Sequence, residues 1–177
     1  MKVVRGFVIA IALCFVVLLV VAFFLPGTFS VESSAIVAAP ATELYARFAT
    51  PRTWARWSAW TTEADPTLAY TYTGPDSGVG AVMKWTSKKM GNGQLAIVEA
   101  MPAQMVSYEL SMTGTDMTVH GHVMFEPAAD GTKVTWRDTG SLGKNVMLRY
   151  LRPVLDKSLH EAYAKSFAKL QREARGE

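Results

Sequence analysis

Asn145–Arg175, NVMLRYLRPVLDKSLHEAYAKSFAKLQREAR, is the stretch whose reading decides the fold. Leu148, Leu151, Leu155, Leu159, Ala162, Ser166 and Leu170 recur at three- and four-residue steps, with Tyr163 and Phe167 beside them. That spacing lays one apolar stripe along a helix. Arg149, Arg152, Lys157, Glu161, Lys165 and Lys169 fall on other faces. Pro153 lacks a backbone donor, so a kink or a restart is predicted there. A helix with one apolar face is marginal alone in water, and its stripe demands a partner surface.

The sequence before this helix predicts the partner. Phe29 to Val37 reads as a strand. Pro40 opens a short helix with Leu44, Tyr45 and Phe48 on one face, and Thr50-Pro51 opens a second that carries Trp54 and Trp57. From Thr67 the period becomes two. Tyr70 and Tyr72, then Met83 and Trp85, then Leu95 and Ile97 share parity, as do Val106, Tyr108, Leu110 and Met112. Val119, Gly121, Val123 and Phe125 follow, and then Val134, Trp136 and Asp138 after the Asp130-Gly131 turn. Short connections imply an antiparallel sheet, with the first strand at the opposite edge or closing the curve. The class is therefore α+β, one curved sheet wrapped on one long helix, and such a grip leaves room for a cavity between them.

The N-terminus is different. Gly6 to Leu25 is about twenty residues without a charge, the length of a membrane span. The run exceeds a typical signal core, and Phe23-Phe24-Leu25-Pro26 offers no small-residue cleavage site. The expectation is an uncleaved anchor over residues 3–25 and one domain over 29–177. Lys2 and Arg5 precede the run and no basic residue follows before Arg47, which places the N-terminus in the cytoplasm and the domain outside, periplasmic in a Gram-negative cell. Without Lys2 and Arg5 the chain has sixteen basic and fifteen acidic residues, too balanced for a nucleic-acid groove. The single cysteine, Cys14, lies in the apolar run, so the domain has neither a disulfide nor a thiol nucleophile.

Several pieces in order carry a family resemblance. They are Ala39-Pro40, Trp54-x-x-Trp57-x-x-Trp60, and Tyr70-Thr71-Tyr72-Thr73-Gly74-Pro75 leading to Gly78-Val79-Gly80. Phe125-Glu126-Pro127, Gly131-Thr132-Lys133-Val134-Thr135-Trp136 and the long C-terminal helix complete the set. The chain resembles the START-like (SRPBCC) superfamily of polyketide cyclases, dehydrases and lipid-transport proteins, most closely membrane-anchored bacterial members. The resemblance covers nearly all of residues 29–175. It implies a helix-grip fold with an internal hydrophobic cavity, and it implies no particular reaction, because fold is not function.

The residues narrow the chemistry. His120, His122 and Glu126 share one strand face, but Val119, Val123 and Phe125 hold the opposite, inner parity, so the histidines face solvent and no metal is expected. Gly78-Val79-Gly80 and Gly91-Asn92-Gly93 are too short for a phosphate loop and precede strands, so no cofactor is expected. Asp138 and Glu99 share parity with apolar neighbours. Turned inward and desolvated, either is a candidate general base, with Tyr108 as donor. The alternative is a strand end, where such a carboxylate meets water or caps a helix. Large apolar side chains form the strongest signal. Trp57, Trp60, Tyr70, Tyr72, Met83, Trp85, Tyr108, Met112 and Trp136, with Gly121, Leu155 and Leu159, are the candidate lining of a small-molecule pocket.

The reading is a domain that binds or carries a hydrophobic small molecule, a lipid or an aromatic metabolite, next to the membrane that holds its anchor. The alternatives are a cyclase- or dehydrase-type enzyme with an inward carboxylate, and a non-catalytic interaction or sensing module.

Overall fold

The computed structural model describes residues 2–176. Helix α1 (Lys2–Phe24) leads directly into β1 (Thr28–Val37), with only Leu25-Pro26-Gly27 between them. Helices α2 (Ala41–Ala49) and α3 (Pro51–Trp57) follow. Six strands come next: β2 (Ala69–Thr73), β3 (Val82–Thr86), β4 (Gly93–Met101), β5 (Met105–Met112), β6 (Thr118–Ala128) and β7 (Gly131–Ser141). A 3-10 turn over Val146–Leu151 then hands the chain to α4 (Arg152–Ala174).

The seven strands form one antiparallel sheet in the order β1-β7-β6-β5-β4-β3-β2. The first strand thus occupies the edge opposite β2, as the two intervening helices predicted. The fold is α+β, a helix-grip.

The restart expected at Pro153 is where α4 begins. Proline lies in the first turn of α4, where its missing donor costs nothing. The Asn145 side chain accepts from Met147 N at 3.1 Å and caps the 3-10 turn that precedes it. The apolar stripe is buried only in its second half. Tyr163, Ser166, Phe167 and Leu170 are buried, Leu155 and Leu159 are half-buried, and Leu151 is 55% exposed. Leu151 therefore lies outside the core, contrary to the stripe. The 3-10 geometry turns three residues per turn rather than 3.6, so the pattern drifts off the sheet there.

Where α4 does grip, polar groups fix it. Ser166 Oγ accepts from Ala59 N at 2.9 Å, and Lys169 Nζ donates to Ser58 O at 3.2 Å. Arg47 pairs with Glu173. The centre of the core is aromatic: Phe48, Trp54, Trp57, Trp136 and Tyr163 pack edge-on, tilted or stacked at 4.5 to 6.0 Å between ring centroids.

Candidate functional site

A cavity of about 290 Å³ lies between the sheet's inner face, α3 and the first half of α4. Its wall is apolar where the alternating strands turn side chains inward: Met83 and Trp85 from β3, Leu95 from β4, Leu110 and Met112 from β5, and Val119 from β6. Trp54 and Trp60 close one side, and Leu155, Leu159 and Ala162 of α4 close the other. The polar groups in the wall are few. They are Asp138, the Tyr108 and Tyr70 phenols, Ser58 and Ser158.

Asp138 is the chemical centre of this wall. It is 4% exposed and accepts from two phenols, Tyr108 at 2.7 Å and Tyr163 at 2.5 Å. Trp136 Nε1 donates in turn to the Tyr108 oxygen at 2.8 Å. The strand register explains the assembly. Asp138, Gly121 and Tyr108 stand in one row across β7, β6 and β5. Because Gly121 has no side chain, the Tyr108 ring lies back over it and carries its hydroxyl to Asp138.

Burial raises the Asp138 carboxyl above its ordinary 3.8, while the Tyr163 and Tyr108 hydroxyls and the Trp136 indole pull the other way. Burial raises both phenols too, helped by the neighbouring Asp138 charge. A carboxyl raised in the folded state holds its proton to higher pH than it does unfolded. Its contribution to stability is complete below the unfolded value of 3.8 and is lost as pH rises through the folded value. Asp138→Asn removes that titration. The variant's melting temperature relative to the parent should therefore rise as the pH is raised above the ordinary 3.8. An offset that stays constant would show that Asp138 does not titrate this way.

The structure gathers many of the residues anticipated from the sequence. Trp60, Tyr70, Met83, Trp85, Tyr108, Met112, Leu155, Leu159 and Asp138 all line the cavity. Five do not. Trp57 and Trp136 are buried among other rings, outside the wall. Tyr72 shares strand parity with Tyr70, but it stands on the short edge strand beyond the cavity's reach. There its ring lies under Arg52, 4.3 Å from the guanidinium carbon, and borders a small outer hollow.

Gly121 is neither cavity floor nor bend. Its backbone is not left-handed, and a Cβ there would meet the Tyr108 ring at 2.0 Å. Glu99 is corrected as well. The pairing of β4 with β5 shifts between Ile97 and Glu99, so Val98 is an extra residue. That bulge reverses the parity beyond it, and Glu99 is exposed, 3.5 Å from the Ser107 hydroxyl. His120 and Glu126 are exposed on the outer face, as their parity predicted, and among the described residues no cluster suits a metal ion.

Sequence reasoning missed Phe29, Trp54, Ser58, Met90, Leu95, Leu110, Met117, Val119, Ser158 and Ala162 in the wall. Leu110 shares the parity of Tyr108 and Met112, and that signal was in plain view. Met117, just before β6, keeps the inner parity of Val119, while Met90 sits in a turn, where no periodicity operates. Tyr163 was visible beside the stripe, but its bond to Asp138 needs the two elements docked.

The comparisons with known proteins agree with this fold. No curated protein is similar enough to match. Among solved structures, the di-domain ARO/CYC protein StfQ of the steffimycin biosynthetic pathway superposes with a TM-score of 0.64 at 14% identity, over 84% of this chain and 51% of that one. A point mutant of a Thalictrum norcoclaurine synthase, in complex with a transition-state analogue, gives 0.62 at 13% identity over 84% and 96%. A protein from Chromobacterium violaceum gives 0.60 at 13% identity over 82% and 96%. At such identities the likeness is one of fold. The sequence itself matches a family model over residues 28–175, and this chain therefore belongs to the polyketide cyclase / dehydrase and lipid transport family.

Proposed function

We propose that residues 29–177 form a domain that binds or carries a hydrophobic small molecule in the cavity, and that residues 3–25 anchor it in a membrane. The observation that carries the reading is the wall itself, rings and methionines around one buried carboxylate. At about 290 Å³ the cavity is near the lower end of ligand sites, which run from about 300 to 1,000 Å³. It suits a small ring system or a short acyl chain with a hydroxyl or amine turned toward Asp138.

Ala162→Trp tests this. The indole would project from α4 into the cavity and occupy much of it. The expected result is a loss of about a hundredfold in affinity for a hydrophobic fluorescent probe, or about 2.7 kcal/mol, with the melting temperature kept. Unchanged affinity would mean that the probe binds elsewhere.

A second reading, an enzyme of the cyclase or dehydrase kind, has one observation in its favour: Asp138 is a desolvated carboxylate at the cavity wall, the environment of a general base. Two phenols already donate to it, one to each oxygen, and this supports a satisfied polar floor over a base waiting for substrate. Native mass spectrometry of the purified protein distinguishes the two. A retained ligand supports the carrier, and a chemically altered one supports the enzyme.

The anchor reading rests on Val3–Phe24, a helix long and apolar enough to cross a bilayer. With Lys2 and Arg5 at its N-terminal end, the domain faces the exterior. Added protease should digest the domain in intact spheroplasts. Digestion only after lysis would place it inside.

A further inference from the structure

The last turns of α1 do not stand free of the domain. Arg149, in the 3-10 turn, donates from Nη1 to the carbonyls of Ala22, Phe23 and Leu25, each at 3.1 Å. A cation on these carbonyls satisfies the acceptors that a helix C-terminus leaves unpaired and complements its dipole. Tyr150 donates to Leu18 O at 2.7 Å, which lies six residues, or about 9 Å, back from the end of the helix. Ala22 is fully covered in a helix otherwise almost wholly exposed. The 3-10 turn is thus docked along the final turns of the apolar helix, through two residue types, Arg and Tyr, that favour membrane interfaces in general.

The same turn and the start of α4 expose Met147 (38%), Leu151 (55%) and Val154 (63%). Farther along α4 the exposed face changes to Lys157, Glu161 and Lys165. The cavity reaches this end too. Strand pairing aligns Thr28, Ser141, Thr118, Ser111, Gln94 and Lys84, so the 86–93 and 112–118 turns lie at the sheet end where α1 enters. Met90 and Met117 from those turns line the cavity, as does Leu155, the neighbour of Val154.

We propose that this end of the domain is a membrane-inserted surface: Met147, Leu151 and Val154 enter the leaflet in which α1 ends, and the cavity exchanges its hydrophobic ligand with that leaflet rather than with water. The proposal rests on the anchor and cavity readings above. The occupant is the bilayer because the exposed patch continues the apolar surface of α1, to which its own segment is hydrogen-bonded.

The test uses the full chain in phosphatidylcholine–phosphatidylglycerol vesicles. Leu151→Cys, Val154→Cys and, as a control on the far hairpin, Asp130→Cys are made with Cys14→Ser and labelled with bimane. Nitroxide lipids labelled near the headgroup should quench the first two and spare the third. Labels at positions 151 and 154 no more quenched than that at 130, while a label on Cys14 itself is quenched by nitroxides carried deep on the acyl chains, would overturn the proposal and leave the anchor standing. An unquenched Cys14 label would remove the anchor, and the proposal with it.

The second measurement follows a dansyl fatty acid loaded in the vesicles, by energy transfer from the protein's tryptophans. Leu151→Glu with Val154→Glu should slow loading about tenfold while leaving the affinity for anilinonaphthalene sulfonate added from water unchanged. Equal loading rates would mean that ligand arrives through water or from a protein partner. If the parent chain binds neither probe, the cavity reading fails, and the quenching still decides whether the surface inserts.

Discussion

Gly121→Ala is expected to cost about 3 kcal/mol or more, from one methyl group. The new Cβ would lie 2.0 Å from Cζ of Tyr108 and 2.3 Å from Cε1 and Cε2. The ring must leave, and its hydroxyl then loses both Asp138 at 2.7 Å and Trp136 at 2.8 Å. A buried acceptor and a buried donor left unpaired add their desolvation to the overpacking. Against a total stability of about 5–15 kcal/mol this is a large share. For a chain of this size it corresponds to a fall of roughly 6–12 °C in melting temperature. The Tyr108→Ala background checks the cause. With the ring gone, Gly121→Ala should cost far less, because the two changes share one contact. A Gly121→Ala variant that melts with the parent would refute the packing of ring on glycine.

The second large effect separates the two halves of α4. Phe167 is 4% exposed and packs against the Trp136 ring at 6.3 Å, so Phe167→Ala should cost about 3–5 kcal/mol. Leu155→Ala should cost only about 1 kcal/mol, because Leu155 is half-buried and faces open cavity that needs no refilling. Denaturant titration of the two variants gives the comparison. Equal losses would mean that the helix grips the sheet evenly along its length, with no cavity beneath its first half.

These two results separate support from site. The second half of α4 and the aromatic core hold the helix to the sheet. The first half leaves the sheet, and the space it leaves is the cavity. Asp138 stands between the two regions, tied to the core by Tyr163 and turned to the cavity on its other side.

Much of this was determined by the sequence alone. Hydrophobic period is local, and it placed the strands and the long C-terminal helix, because a buried face must repeat every two or 3.6 residues, while Pro40, Thr50-Pro51 and Pro153 marked the two short helices and the restart. It also placed Asp138 and Tyr108 on inner parity. Three matters were decided only by tertiary structure, each for a physical reason. One bulge at Val98 reversed the parity of Glu99, and an inserted residue leaves no mark in composition. Gly121 was legible as unusual, but its use depended on which residue lay across the pairing register, and Tyr108 is thirteen positions away. Arg149 meets Ala22, Phe23 and Leu25 across more than 120 residues, so the attachment of the 3-10 turn to the apolar helix exists only once the sheet has brought both ends of the chain to one edge.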